Sequence, residues 1–371
     1  MPQPNPYERI QVDSTNYSTI TYSPLLDNSP KPSHLFHQQT SDEDSLDGQS
    51  LFGGQSLIDS NLSFASSVRD YCYENGRRYH AYRHGQYPIP NDQEEQDRLA
   101  LLHHLFKLVV GGDLYRAPIQ PREGPTPPHR ILDIGTGTAE WAFEIAEDFP
   151  NAEVIGTDLS PIQPSWAPPN CRFYIDDAES DWAFTPEEQF DFIHMRSMGG
   201  GIGDWPRLMK QAYQHLRPGG WIEVQEFETA ISSDDDSHLL APTMVEWVEK
   251  VNDAARLFGK PMKIASQIHS WMENGGFVNV TDDIYKCPVG GWAKDRQLKE
   301  IGRLGKVLVL KVVEPYSLAL FTRVLGYTYQ EAQSYLEKVR AEMMNSKCHL
   351  YFFFHFVYGQ RPLEMNGEPL T

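Results

Sequence analysis

The sequence predicts an α/β protein with a seven-stranded, mostly parallel sheet, helices on both faces and additional helical caps. Three observations support this prediction. From residue 130 onward, short apolar runs alternate with amphipathic segments, a rhythm typical of parallel strands joined by helices. Glycine-containing turns separate several of these segments. Two helical stretches, one before the first strand and one near the end of the chain, fall outside the alternation and predict the caps.

The composition limits the possible classes of function. The chain has 371 residues, and 40% of them are hydrophobic, which is enough for a sizeable core. Its 32 basic and 51 acidic residues leave a net charge of −19, so we expect no direct nucleic-acid binding and no membrane binding. The four cysteines lack metal-binding spacing, and no leader or membrane-length apolar run is visible. We therefore expect no metal site and a cytoplasmic or nuclear location.

The chain before residue 126 divides into two predicted regions. Residues 1–60 are rich in Ser, Pro, Asn, Gln and Asp, and we expect them to form a disordered tail. Residues 61–125 predict a helical cap or lid. Within it, a helix begins after Asn91 and Asp92, which are good capping residues, and ends at Gly111.

The chain from residue 126 onward supplies the sheet. Residues 126–230 predict a cofactor-binding core, and residues 231–371 the C-terminal half of the sheet. A helical stretch at residues 294–344 is too long for a simple connection and predicts an inserted substrate cap. The predicted strands are residues 130–134, 153–157, 171–175, 190–195, 221–227, 278–287 and 349–358, and the predicted helices among them include residues 141–149, 207–216 and 263–273.

The clearest motif is a glycine turn in residues 131–140, Ile-Leu-Asp-Ile-Gly-Thr-Gly-Thr-Ala-Glu. A strand that runs through Gly135 and Gly137 into a helix lets backbone N–H groups approach a ligand. Glu140 stands where a dinucleotide-binding turn has its third glycine, and its charge would repel a pyrophosphate, which argues against a dehydrogenase. No Lys-Ser or Lys-Thr pair follows, so the turn is not a P-loop.

Carboxylates lie in or after three successive predicted strands. Asp133 lies under the glycine turn, where a cationic amine would be favoured. Asp158 ends the next strand, the position from which a carboxylate accepts both hydroxyls of a ribose. Asp176, Asp177 and Ala178 follow the third strand, where a carboxylate can accept from an adenine amino group. An adenosine carrying an amino acid, S-adenosylmethionine, fits this set better than the alternative that the acids only cap helices.

Several segments, in order, resemble the LaeA-like family of fungal class I methyltransferases, which includes velvet-complex regulators and enzymes of secondary metabolism. The resemblance covers residues 71–362. Its carriers are residues 74–99, ILDIGTGTAEW (131–141), EVIGTDLSPIQPSW (153–166), FYIDDAESDWAF (173–184), residues 190–208, LRPGGWIEVQEF (216–227) and, with weaker support, residues 317–327.

This resemblance implies a Rossmann-like class I methyltransferase fold with S-adenosylmethionine as cofactor, a small-molecule substrate and, in some members, regulatory protein partners. It implies cofactor contacts from the glycine turn and the three acidic positions. With the neighbouring positions added, the residues expected to contact the cofactor are Tyr79, Asp133, Gly135, Thr136, Gly137, Asp158, Leu159, Asp176, Asp177, Ala178, Met195 and Arg196.

The second substrate needs a group that can remove a proton, and strand ends supply the candidates. His194 ends the fourth strand and is one predicted general base, since imidazole titrates near neutral pH, although such a histidine can also only position the next loop. Glu226, near the end of the fifth strand, is the other, and Gln225 is a predicted substrate contact, although strand-end polar groups often face water. Tyr82 and Tyr79 belong to an aromatic stretch that predicts a lid over the substrate and the cofactor, or a packed cap.

These residues predict a methyltransferase of fungal secondary metabolism that acts on O, N or C of a small molecule. The sequence has Ala139-Glu140 where the family usually has Gly-Ile, and we expect the Glu140 carboxylate to weaken cofactor binding. This departure leaves open a cyclase that uses the sulfonium as a fixed positive charge in a pericyclic ring closure. A third alternative is a regulatory subunit that docks partner proteins through its N-terminal arm.

Overall fold

The computed structural model describes residues 5, 8–13 and 71–363, and a seven-stranded sheet forms its centre. The strands are β1 (Cys72–Glu74), β2 (Arg77–Tyr79), β3 (Arg130–Ile134), β4 (Glu153–Asp158), β5 (Cys171–Ile175), β6 (Phe190–Arg196), β7 (Leu216–Phe227), β8 (Val278–Pro288) and β9 (Tyr351–Gln360). β1 and β2 form a separate hairpin, and the large sheet has the order β5–β4–β3–β6–β7–β9–β8. Within the large sheet, β9 runs antiparallel to both neighbours, whereas the other pairings are parallel. The predicted seven-stranded, mostly parallel sheet is confirmed.

Helices cover both faces of this sheet and form a cap beside it. They are α1 (Gln93–Val109), α2 (Glu140–Asp148), α3 (Trp205–His215), α4 (Pro242–Phe258), α5 (Ala265–Asn274), α6 (Arg296–Arg323) and α7 (Tyr329–Met343). α1 begins where the Asp92 side chain accepts a hydrogen bond from the Glu95 N–H, as the sequence predicts. α6 and α7 occupy the predicted insertion between β8 and β9.

The alternation of side chains along the strands divides the core. Ile131 packs with the α2 residues Trp141 and Ile145 on one face of the sheet. Leu132, the next residue, packs on the other face with side chains of α3 and α5 such as Met209. A third cluster joins α1, α4, α6 and α7 to β8 and β9. The cap therefore shares its core with the last two strands of the sheet.

Two features before α1 differ from the prediction. Residues 71–79, expected to be helical, form the β1–β2 hairpin, because Asn75 and Gly76 have φ values of 53° and 77° and make a two-residue turn. Residues 8–13, expected in the disordered tail, lie against the body instead. Val12 pairs with Ala293, and the backbone oxygen of Glu8 accepts from Lys286 Nζ. Residues 14–60 of the predicted tail and 61–70 of the predicted cap lie outside the described residues.

Within the described part of the chain, no helix is both long and apolar enough to cross a membrane. The same residues contain no cluster of three or more histidine, cysteine, aspartate or glutamate side chains arranged to hold a metal ion.

Candidate functional site

The glycine turn between β3 and α2 has a backbone that favours glycine. Gly135 and Gly137 have φ values of 69° and 56°, in the left-handed region that side chains disfavour. A Cβ atom on Gly135 would also lie 2.2 Å from Met198 Sδ. The N–H groups of Gly135 and Thr136 donate to the Thr157 carbonyl oxygen at 2.8 and 3.0 Å. These bonds fasten the turn to β4 and leave its outer surface open.

Asp158, at the end of β4, also binds the backbone of the glycine turn. Its Oδ2 accepts from the Gly137 N–H and its Oδ1 from the Ser160 N–H, each at 2.8 Å. Burial raises the pKa of Asp158 to about 6, while the two N–H groups favour the charged form. Each carboxylate oxygen has lone pairs beyond those that the backbone uses, so the group can still accept hydrogen bonds from a ligand.

A cleft opens at the carboxyl ends of β3, β4 and β5, the place where open parallel sheets bind ligands. The predicted cofactor residues that line it are Gly135, Gly137, Asp158, Leu159, Asp176, Asp177, Ala178 and Arg196. Residues outside the predicted set of cofactor contacts complete the lining, and they include Tyr87, Asn91, Glu95, Leu99, Ser197 and Met198. The helical spacing of Glu95 and Leu99 on α1 is a signal that could have placed both on one face.

The segment before α1 covers one side of this cleft, and residues 80–91 are called the lid segment below. Tyr87 and Asn91 of the lid segment line the cleft. Asn91 Nδ2 donates to Ser160 Oγ at 3.1 Å, and Arg83 Nε lies 3.3 Å from Asp177 Oδ2. The lid segment is therefore fastened to the loops after β4 and β5.

Four residues predicted to contact the cofactor are not among those that line the cleft: Tyr79, Asp133, Thr136 and Met195. Tyr79 is buried beneath the guanidinium of Arg323, 5.1 Å from its ring. Asp133 accepts from Thr136 Oγ1 and pairs with His194 Nδ1, both at 2.7 Å, so its oxygens are bound inside the protein. Met195 is buried in the core on the α3 face. The expectation that Asp133 meets an amine directly does not fit this geometry.

His194 occupies a position that does not suit a base acting in the cleft. Its ring is fully buried and stacks on Trp141, with ring centroids 3.7 Å apart. Burial lowers the pKa of His194 to about 4, although the Asp133 carboxylate favours the charged form. The imidazole is therefore neutral, with its Nδ1 proton directed at Asp133. The role that this geometry supports is to position Asp133 beneath the glycine turn.

The position of the Gln225 side chain also does not suit its predicted role as a substrate contact. Its side chain is buried, its Oε1 accepts from Arg196 Nε at 2.8 Å, and its Nε2 donates to the Leu114 carbonyl oxygen and to Glu223. Gln225 thus holds Arg196, which does line the cleft. Tyr82, the other predicted substrate contact, is half-buried in the lid segment but is not among the lining residues; the Arg83 guanidinium lies 5.5 Å from its ring.

Glu226 lies at the end of β7 with its carboxylate buried. Its Oε2 accepts from the Gly199 N–H at 2.8 Å and its Oε1 from its neighbour Phe227 at 3.0 Å. Burial raises the pKa of Glu226 to about 8, so the group can exchange a proton near neutral pH. Glu226 is not among the residues that line the cleft, although its partner Gly199 follows Met198, which does, and its role as a general base stays a prediction.

Glu140 does not obstruct the cleft. It is the first residue of α2, its carboxylate accepts from the Thr138 hydroxyl, and it is not among the lining residues. A carboxylate at a helix N-terminus is also favoured by the helix dipole. The sequence-based expectation that Glu140 crowds a bound ligand is therefore not supported by its position.

Comparisons with known proteins agree with this geometry. Residues 101–282 match the family model described as a methyltransferase domain. Methyltransferase pytC of Aspergillus terreus is 44% identical over 301 residues, which cover 81% of this chain and 91% of that protein. The secondary metabolism regulator laeA of Aspergillus fumigatus is 36% identical over 297 residues, with 79% of this chain and 77% of that protein covered. The chain belongs to the LaeA-like fungal methyltransferases.

The family also includes a protein-methionine methyltransferase laeA from Emericella nidulans, which is 35% identical over 293 residues, 78% of this chain and 76% of that protein. A solved structure of a putative methyltransferase from Anabaena variabilis covers 71% of this chain and 99% of its own, with 16% identity and a TM-score of 0.45. Membership of this family agrees with the class I methyltransferase sheet, whose strand order is described above.

Proposed function

We propose that this protein binds S-adenosylmethionine in the cleft and methylates a small molecule. The observation that carries the proposal is Asp158, a buried carboxylate that binds the glycine turn at one end of the cleft. Asp158 would accept the ribose hydroxyls, and Asp176, Asp177 and Ala178 would bind the adenine. Gly135 and Gly137, with no side chains, would leave room for the methionine portion. When bound, the cofactor supplies a transferable methyl group on a sulfonium.

The residues around the cleft support specific tasks in this reaction. The lid segment, held by Arg83 and Asn91, would exclude water from the bound cofactor. Glu226 would accept the proton that an acceptor hydroxyl or amine loses when it is methylated. Its raised pKa, about 8, matches that task near neutral pH.

Titration calorimetry with S-adenosylmethionine and S-adenosylhomocysteine tests the cofactor site. We expect the wild type to bind both, and Asp158→Ala to lose at least about tenfold in affinity, because a hydrogen-bonded charged partner contributes about 1.5–3 kcal/mol. Asp191→Ala is the matched control. Asp191 also accepts two backbone N–H groups, from His129 and Arg130 at 2.7 and 2.9 Å, but at the start of β6, far along the strand from the cleft.

In this experiment, a folded wild type that binds neither ligand would reject the proposed cofactor site. Equal losses in Asp158→Ala and Asp191→Ala would show that the effect reflects general loosening of the sheet and not contact with the ligand.

A protein substrate is the second candidate, and the relative named a protein-methionine methyltransferase favours it. Incubation of the protein and tritium-labelled S-adenosylmethionine with a fungal extract distinguishes the two. We expect the label in small-molecule products that are separated from the labelled cofactor, and much less of it in those products with Asp158→Ala. Label confined to protein would replace our proposal with this second candidate. The altered turn residue that left a cyclase open, Glu140, is not among the residues that line the cleft, and we do not propose that reaction.

A further inference from the structure

Residues 8–13, called the N-terminal segment below, bind the body of the protein as a short added strand. Val12 forms an antiparallel bridge with Ala293. Backbone hydrogen bonds of 2.7 and 2.6 Å on the two sides of this bridge join the segment to residues 292 and 294. Main-chain pairing of this kind is the way in which a protein binds an extended peptide by strand addition.

The side chains of the N-terminal segment alternate as they do in a strand. Ile10 and Val12 are partly buried and pack in a cluster with the buried ring of Trp292. Arg9 and Gln11, between and beside them, are exposed. The body therefore contacts every second side chain of the segment, which is the pattern that gives specificity in strand addition.

Charged groups of the body also bind the N-terminal segment. Asp234 Oδ2 accepts from the Ile10 N–H at 3.0 Å, and Asp13 forms an ion pair with Lys299 of α6. Asp234 is paired as well with Lys286, whose Nζ lies 2.8 Å from its Oδ1. Because these two groups keep each other, release of the segment leaves neither charge without a partner. The residues that receive the segment are called the docking surface: residues 292–294, Asp234, Lys286, Lys299 and Tyr351.

The charge beside the docking surface favours an acidic partner. Lys294, Arg296 and Lys299 follow one another closely at the start of α6, and the first two line a groove that the N-terminal segment borders. Asp295 is the acid within this stretch, and its carboxylate caps α6 by accepting from the Leu298 N–H at 2.9 Å. On a chain with a net charge of −19, such a basic rim attracts acidic groups that the rest of the surface repels.

We propose that the docking surface binds an extended peptide of a partner protein, with apolar residues at alternate positions followed by an acid. The N-terminal segment has this pattern in Ile10, Val12 and Asp13, and it occupies the surface as a competitor on the same chain. Because this competition is intramolecular, a partner peptide gains access only when the segment leaves. The inference goes beyond the proposed function, since no residue of the docking surface lines the cofactor cleft.

Fluorescence anisotropy of a labelled peptide of residues 5–16 tests this inference on the full-length protein. Ile10→Ser/Val12→Ser, called the open variant, removes the two apolar side chains of the N-terminal segment and should leave the docking surface accessible. We expect saturable binding of the peptide to the open variant and at least about tenfold weaker binding to the wild type, whose own segment occupies the surface. A peptide with the same two serines is the matched control and should not bind.

A charge exchange tests whether the peptide takes the position of the N-terminal segment. Lys299→Glu in the open variant should weaken peptide binding at least about fivefold, because the ion pair with Asp13 becomes a repulsion. The Asp13→Lys peptide should then prefer the protein with Lys299→Glu. Lys311→Glu changes another partly buried lysine of α6, outside the docking surface, and should leave the affinity unchanged.

Several results would overturn the inference. One is the absence of saturable binding to the folded open variant, with Val12→Ser alone used if the double variant does not fold. Equal affinity for the wild type and the open variant, or equal losses in Lys299→Glu and Lys311→Glu, would show that the peptide binds elsewhere. A wild-type dimer in analytical ultracentrifugation that the open variant lacks would show that a second copy of this chain supplies the segment, and it would replace the partner peptide.

Discussion

Asp133 and His194 lie opposite each other in the register of β3 and β6, and this pairing decides what each can do. The sequence shows that both residues belong to strands that end at the site. It does not show which face of the sheet each side chain takes. The structure directs both inward, onto Trp141 and Thr136, whereas Asp158 and the glycine turn line the cleft. Register and burial, which a single sequence does not specify, account for this difference.

The raised pKa of Glu226 can be tested through the pH dependence of the free energy of unfolding. Burial places its pKa at about 8, above the ordinary value of 4.5, so folding favours the protonated form. The contribution of this protonated carboxyl group to the free energy of unfolding is therefore complete below pH 4.5, and it is lost as the pH rises through 8. In Glu226→Gln this loss is absent, so the variant should gain stability relative to the wild type as pH rises. Each pH unit between the two values adds up to about 1.4 kcal/mol.

Urea unfolding of both proteins at pH 5, 7 and 9 measures this difference. A gap between their free energies of unfolding that stays constant with pH would show that the carboxyl group titrates at its ordinary pKa in the folded protein.

At the scale of elements, strands and their order along the chain could be predicted well. Short buried runs such as residues 130–134 and 153–157 have few alternatives to a parallel strand, and the glycine turn marks the entry to α2. Two local elements were not predicted, the β1–β2 hairpin and α4. The Asn75-Gly76 turn of the hairpin is visible in the sequence, but a longer helical pattern follows it. The α4 segment has no clear boundary that marks it as a separate helix in the sequence. Where the cap helices would pack could not be predicted, because that depends on contacts distant in sequence.

The lid segment is the element whose motion should limit ligand exchange. The ion pair between Arg83 and Asp177 is partly exposed, and such a pair contributes about 0–1 kcal/mol. Arg83→Ala should therefore speed dissociation of S-adenosylhomocysteine by at most about fivefold and leave the free energy of unfolding nearly unchanged. Surface plasmon resonance measures the rate. Arg303→Ala, which removes an exposed ion pair on α6 with Glu300, should not alter it, and a similar acceleration in both variants would contradict this role.

At the scale of the whole molecule, the sheet and the cap share one core through β9. Phe356 of β9 is buried, and its ring contacts Phe106 of α1 and Tyr285 of β8, with centroids 5.8 and 5.5 Å apart. Phe356→Ala should lower the free energy of unfolding by about 3–5 kcal/mol. Phe353, on the same strand but only partly buried, provides the comparison, and Phe353→Ala should cost less. Equal and small losses in urea unfolding would indicate that the cap is held without β9.

The position of β9 also has a consequence for how the protein is made on the ribosome. β9 lies between β7 and β8 in the sheet, although β8 precedes it in the chain by the whole of α6 and α7. Until residues 351–360 have emerged, β7 has an unpaired edge and β8 has no partner strand. The part of the sheet from β3 to β7, which borders the cleft, can assemble earlier. Synthesis would therefore pass through a stage in which strand edges, the usual starting points of aggregation, are exposed.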